Sequence, residues 1–475
     1  MKERKVFGRG VAGLLVLLLA AGSLAWLAQA GVSEAGVSTA WIKRYSGPGI
    51  QEDQAKGIAV DGTGNVYVTG SSNGSGNWKL DYATVKYSPL GAQLWARRYN
   101  PYNLDDEAAA IAVDAQGNVI VTGTSKGPTT QSDYATIKYS PLGVILWVKR
   151  YNASWSGSIG SSDHATAMTV DGSGNVYVTG YSSGFNTNFD YVTIKYSPSG
   201  QQLWVKRYNG PLTGYIKSED KPAAIAVDAL GNVYVTGYSY GISNYKEYAT
   251  VKYSPAGVQL WAKRYHGAIN GDSSALALAV DKSGNVYVTG TSYGGQSTGD
   301  DYATVKYSST GTQLWVKRYN GPGNSIDAAT AVKLDSLGNV YVTGRSQGAA
   351  PNDQEYATIK YSPAGGQLWV KRYNLRTYMD DGATAMAVDA QNNIYVTGYS
   401  VGASTGYDYA TIKYSPAGAQ LWVIRSSGPS GTGTYSEDRP TAIKVVGQGN
   451  VYVTGHSYAI STGVDYLTIK YKQTP

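Results

Sequence analysis

The residues best suited to chemistry in this 475-residue sequence are carboxylates that recur at near-constant spacing: Asp53, Asp106, Asp163, Asp220, Asp272, Asp327, Asp381 and Asp438. Eight carboxylates gathered at one mouth repel one another unless amides, arginines or cations satisfy them. Bonding to neighbouring backbone and arginine is the favoured reading, and a calcium or magnesium site is the sharper alternative. A second cycle, Asp61-Gly62-Thr63-Gly64-Asn65 and its sisters, matches part of a calcium loop. It offers too few of the about six to eight oxygens that calcium needs, so it reads as a turn. His164, His266 and His456 occupy unmatched positions, and no Ser-His-Asp spacing, His-Glu-x-x-His or phosphate loop is visible. Glu107, His164 and Lys221, each beside a recurring aspartate, are the polar residues that could serve an enzyme. The absence of cysteine excludes disulfides, thiolate metal sites and cysteine nucleophiles. No cofactor is predicted.

A third set is aromatic: Trp78, Tyr102, Trp155, Phe185, Phe189, Tyr215, Tyr245, Tyr378, Tyr407 and Tyr435. These rings lie in polar Ser/Asn/Gly stretches, a setting suited to recognising sugars or peptides, with plain cover of loop backbone as the competing reading.

The elements that position these residues come from one repeated unit. The string Val66-Tyr67-Val68-Thr69-Gly70 returns, with small changes, at Val119, Val176, Val233, Val286, Val340, Ile394 and Val451, spaced by 53, 57, 57, 53, 54, 54 and 57 residues. A fixed period of this size marks a repeat architecture and overrides any domain count from length. Each unit holds four short runs rich in Val, Ile, Tyr, Thr and Trp, labelled a to d, none with helical periodicity. The a–b link ends in Gly-Asn and the c–d link reads Ser88-Pro89-Leu90-Gly91, both chemistries of tight turns. The pattern predicts an all-β, eight-bladed β-propeller with four antiparallel strands per blade. The chain opens with an unpaired d strand, Trp41–Tyr45, and closes with an unpaired c strand, Asp465–Tyr471. Pairing the two completes the last blade and removes two exposed sheet edges.

Ahead of the repeats, Met1–Gly10 is basic, Val11–Ala21 is apolar, and Ala28-Gln29-Ala30 offers a cleavage site. Residues 1–30 therefore read as a secretory signal peptide and 31–40 as a short linker, with the propeller over 41–475. An uncleaved anchor is the competing reading, and no later stretch is apolar enough to span a bilayer. Removing four basic and one acidic residue from 40 and 33 leaves 36 and 32, a net charge of +4. That balance argues against nucleic acid as a partner. Of these charges, 23 basic and 23 acidic residues belong to the repeat, which suggests pairing between strands and blades.

The run Gly-Asn-Val-Tyr-Val-Thr-Gly, followed by Asp-Tyr-Ala-Thr-Ile-Lys-Tyr-Ser-Pro-x-Gly-x-x-Leu-Trp, resembles the bacterial SBBP β-propeller repeat over nearly all of Trp41–Tyr471. The resemblance implies an extracellular scaffold and carries over no catalytic residue. Because strands alternate in direction, the variable b–c and d–a links share one face of the disc, where binding is expected. The leading expectation is a secreted, monomeric, non-catalytic propeller that binds a protein or glycan there. A lyase-like or quinoprotein-like enzyme with its site at the central channel is the main rival, and a structural cell-surface component is the third reading.

Overall fold

In the computed structural model, residues 33–34, 36–49, 52–74, 78–153, 161–184, 187–211, 219–402, 405–428, 436–447 and 449–473 are described. The expected signal segment lies outside them, as do Trp155, Phe185, Tyr215 and Tyr435. Val32–Pro475 forms one compact unit of eight antiparallel sheets. Blade 1 comprises Asp53–Val60, Val66–Asn73, Leu80–Tyr87 and Gln93–Tyr99, hydrogen-bonded in that order as strands a, b, c and d, and blades 2 to 7 repeat it. In blade 8 the a, b and c strands are Arg439–Val446, Asn450–Ala459 and Gly463–Gln473. Its d strand is Val37–Tyr45, which pairs with register Tyr45 to Tyr466 and Trp41 to Lys470. Chain end thus meets chain start, and blade 8 packs on blade 1 through strand a. The closing strand begins at Val37, and Ser33–Glu34 pairs back on it, so part of the expected linker is strand. Among the described residues no helix is long and apolar enough to cross a membrane.

Repeated chemistry explains why each unit folds identically. In the a–b turn, Asp61 accepts the amides of Thr63 and Asn65, each at 2.9 Å, the Asn65 side-chain amide at 2.8 Å and the Tyr67 hydroxyl at 2.9 Å. Gly64 supplies the left-handed residue, φ +85°. The many donors outweigh the burial of Asp61 and pull its pKa down to about 2. At the rim, Trp95 and Lys86 of blade 1 both donate to the Pro141 carbonyl in the c–d turn of blade 2, at 3.1 and 2.9 Å. The same step recurs around the ring, ending with Trp41 and Lys470 on Pro89. Tyr67 and Tyr139 flank Trp95 with ring centroids 6.0 and 6.2 Å away, so the Trp fills the outer seam between blades. Each Trp buried this way contributes about 2–3 kcal/mol.

Candidate functional site at the channel mouth

An arginine and the acid that opens strand c stitch every blade together at the loop face, and a second acid joins them in seven of the eight. Arg98 of strand d donates to Asp81 of strand c at 2.7 Å and to the Ser72 hydroxyl of strand b at 2.6 Å. It also reaches the Tyr45 hydroxyl of the preceding blade at 3.4 Å. Asp53 stands opposite Ser72 and accepts the amides of Gly47 and Asn73 at 2.6 and 3.0 Å. It therefore pins the end of the d–a loop to the end of strand b. Asp327 does so with Gly321 and Gln347, at 2.5 and 2.9 Å, and Asp381 with Leu375 and Val401, both at 2.9 Å. Asp163, Asp220 and Asp438 each accept one loop amide, from Ala153, Gly210 and Gly428. These carboxylates are buried between blades and face loop backbone, and burial raises the pKa of each. Among the described residues no three His, Asp or Glu come together as an ion would require.

Two members of the expected ring differ. Ser273 stands opposite Ser292 in blade 5, where a sister blade has Asp opposite Ser, and its hydroxyl donates to Ser292 at 2.9 Å. Asp272 is one residue too early; it is exposed and accepts the Lys246 amide at 2.9 Å. Counting back thirteen residues from Val286, the offset that joins Val66 to Asp53, reaches Ser273 and reveals the substitution in the sequence. Asp106 differs otherwise. It is 1% exposed, and alone among the seven ring aspartates it accepts no backbone amide among the described residues. Pro101 stands where Gly47 supplies an amide to Asp53, in a loop one residue shorter.

One residue deeper, on the neighbouring face of each strand, the lattice gives way to variety. The a–b pairs in chain order are Gln54–Ser71, Glu107–Thr124, His164–Tyr181, Lys221–Tyr238, Ser274–Thr291, Ala328–Arg345, Gly382–Tyr399 and Arg439–His456. No two pairs are alike. Strand a is innermost in each blade, so this layer rings the mouth of the axial channel on the loop face. Two clusters dominate it. In blades 3 and 4, His164 stacks on Tyr181 at 4.8 Å, and Lys221 Nζ lies 4.9 Å from the Tyr181 ring and 5.0 Å from that of Phe189. Glu219 pairs with Lys221 at 2.6 Å and accepts the Tyr238 hydroxyl at 2.9 Å. Burial and the Lys221 charge hold the His164 pKa below its ordinary value, so its imidazole is neutral at pH 7. In blades 7 and 8, the Arg439 guanidinium lies 4.7 Å from the Tyr399 ring and 4.3 Å from that of Tyr407. Gly382 makes room there, because a Cβ would meet the Tyr399 hydroxyl at 2.6 Å.

Of the sequence-selected rings, Phe189 and Tyr407 thus join the mouth. Tyr102 lies under the Arg150 guanidinium at 5.3 Å. Tyr245 lines a cleft of about 390 Å³ with Ile242, His266 and Pro211. Trp78 and Tyr378 are 73% and 65% exposed and stand apart. Of the enzyme candidates, His164 and Lys221 meet at one cluster, and Glu107 lies close enough to act on Tyr181. Tyr181, Tyr238, Tyr399 and Arg439 escape a reading that counts repeats, because they sit inside strands. The residue following each Val-Thr-Gly is their signal: Ser, Thr, Tyr, Tyr, Thr, Arg, Tyr and His in turn.

A model of the SBBP family, described as a beta-propeller repeat, matches residues 40–77, 147–190, 204–246 and 263–295. Four of the chain's repeats are thus SBBP-type β-propeller repeats. The chain is also 24% identical, over 454 aligned residues, to an uncharacterized WD repeat-containing protein, L264, of Acanthamoeba polyphaga mimivirus. That match covers 77% of this chain and 31% of the viral protein, so the chain spans about a third of its relative's length. Among solved structures, the WD40 domain of SCAP from fission yeast is similar with TM-score 0.46 and 9% identity, covering 90% of this chain and 97% of that one. A protein of unknown function from Dyadobacter fermentans is similar with TM-score 0.43 and 10% identity, covering 92% and 100%.

Proposed function

We propose that this propeller is a secreted, non-catalytic interaction scaffold that acts as a monomer and grips a protein ligand at the channel mouth and the surrounding loops. The observation that carries this reading is the concentration of non-repeating side chains at the mouth layer and the loops around it, on a ring otherwise built from eight near-copies. Tyr and Arg are the side chains that dominate binding hot spots, and here they lie pre-packed against one another. A glycan ligand is served by the same half-buried rings, and the reading assigns no role to calcium or magnesium.

Blade 1 supplies the substitutions for a test, since Gln54 and Ser71 already occupy these positions in a folded blade. A variant carrying Tyr181→Ser, Lys221→Gln, Tyr399→Ser and Arg439→Gln keeps the melting temperature of the parent within a few degrees. Its affinity for a partner captured from extracellular material, or for a glycan found on arrays, falls at least about a hundredfold, or 2.7 kcal/mol. Equal binding by parent and variant would overturn the assignment. The convergence of neutral His164 with Tyr181 and Lys221 favours acid–base chemistry as a second reading. Turnover of any substrate that His164→Ala abolishes, with binding retained, would establish it.

A further inference from the structure

The face opposite the mouth, where the a–b and c–d turns lie, carries a pattern of its own. Each outer strand d holds a β-bulge beside its c–d turn: Gln93 pairs with Tyr87 and Trp95 with Lys86, so Leu94 between them is the extra residue. A bulge of this kind turns a side chain out of the ladder. Leucine fills the place in seven blades, from Leu94 and Leu146 round to Leu421, and each is 46–53% exposed. Blade 8 has Ala40 there, so the fold does not call for leucine. Edge strands are normally guarded by charge or proline rather than by an exposed aliphatic chain. Blades 1 and 2 add Leu90, Leu142, Val144 and Ile145, all exposed, where blade 4 has Ala256 and Gln259 in place of Leu142 and Ile145. The bond from Trp95 to Pro141 sets strand d of blade 1 against the turn of blade 2 that carries Leu142.

The same half of the ring is cationic. Strand c places a lysine at its turn end in all eight blades. Strand d has a lysine or arginine in seven, whose side chain leans over the c–d turn of the next blade, as Lys149 does over Gly200. Among the described residues only Lys138 and Lys360 of these two sets pair with an acid, whereas every strand-d arginine at the loop end is paired. With Lys282, Lys333, Lys444 and Lys472 the turn half holds 19 cations against Glu34 and the seven a–b turn aspartates, a net charge of +11. Since the chain from Gly31 onward totals +4, the loop half stands at −7. Such segregation gives the disc one positive and one negative side. Ser33 pairs with Ser38 at the turn end, so the apolar run Val11–Ala21 is joined to the ring on the positive side.

We propose that the tight-turn face docks on an anionic lipid bilayer, with blades 1 and 2 deepest, and so holds the mouth away from the membrane. A leucine and a cation repeated round a ring suit a partner that is uniform in its own plane, as a bilayer is. The aliphatic chains enter the headgroup boundary, and the lysine stems lie along it with their ammonium groups on lipid phosphates. This face stands or falls independently of the ligand proposed at the mouth.

The chain from Gly31 onward, which lacks the apolar run and keeps the compact propeller, is the protein to test. It is expected to sediment with vesicles of phosphatidylcholine and phosphatidylglycerol, to leave them as salt rises, and to ignore vesicles of phosphatidylcholine alone. Lys149→Gln combined with Lys206→Gln and Lys263→Gln weakens vesicle binding at least about tenfold, and so does Leu142→Ala combined with Ile145→Gln. Melting curves verify that both variants keep the fold. Lys126→Gln, an exposed lysine of the loop face, leaves binding unchanged. Because the chain has no cysteine, a polarity-sensitive dye can be placed on Leu142→Cys or on Trp78→Cys alone. Its emission shifts to the blue on vesicles at the first position and stays fixed at the second. No binding to anionic vesicles, equal binding to neutral ones, or a shift at Trp78→Cys in place of Leu142→Cys would overturn the proposal. Loss of binding in the lysine variant but not in the leucine variant would overturn it too, because the face would then read charge alone and its partner would be a soluble polyanion.

Discussion

Asp106 shows how a single missing amide changes a residue that its sisters use safely. Burial pushes its pKa up to about 7, against the pull of the nearby Ser125 hydroxyl and the Arg150 guanidinium. The unfolded chain releases this proton near the ordinary carboxylate value of 3.8, whereas the folded protein holds it to about 7. Between those values the folded state binds more protons, so stability falls as pH rises through the window and stays low above it. Asp61, with its pKa lowered, acts in the opposite sense: its contribution is present above 3.8 and is lost as pH drops toward 2. Blade 5 already works with serine at this position. Asp106→Ser is therefore expected to leave melting unchanged near pH 4 and to raise it at pH 8, by scanning calorimetry across that range. Parallel curves for parent and variant would show that Asp106 is ionised in the folded protein.

At the scale of the element, the seam between blades 7 and 8 explains the one d strand that departs from its sisters. In every other blade the strand-d Trp donates to the c–d turn of the next blade. Blade 8 has no such turn, since its c and d strands come from opposite ends of the chain. The Trp422 indole nitrogen is accordingly buried without a partner, the lattice lysine is Ile424, and Ser426 replaces the usual tyrosine. Val37 packs on Trp422 and Ile424 in the turn's place. Ile424→Lys would put an unpaired ammonium under that cover and is expected to destabilise by about 3–5 kcal/mol, measured in denaturant. The same change in reverse at Lys371, whose chain lies over the Gly418 turn, should cost less than 1 kcal/mol. Strands and turns of this kind are legible in the sequence because alternation, Asp-x-x-Gly-Asn and Ser-Pro-x-Gly each encode a local geometry. The bulge in every a strand is not legible, because it arises from how strand a meets strand b at the axis. Nor is the start of the closing strand at Val37, since its partners Lys472 and Gln473 lie more than four hundred residues away.

The whole molecule places invariant and variable side chains in separate shells. Rim and inter-blade positions repeat because each must satisfy its neighbour in the next blade. The mouth layer is bound by no contact that all eight blades repeat and is free to differ. That distinction also governs how far the site could be read in advance: loops such as the one carrying Trp78 announce their variety, whereas Tyr181 and Arg439 hide within strands, where the variable position after Val-Thr-Gly and its cross-strand partner are the signal. Closure makes the shells possible. Removing Val37–Tyr45 would strip the partner from Gly463–Gln473, leaving a long unpaired edge rich in Tyr, Leu and Ile. Such a truncated chain is expected to lose its single cooperative transition and to self-associate through that edge, seen by light scattering. A synthetic peptide of the Val37–Tyr45 sequence, added in excess, should restore both monomer and melting by filling the gap in the ring. If the truncated chain stays monomeric and melts as the parent does, the first strand is ornament to the propeller, and its stability resides in individual blade-to-blade seams.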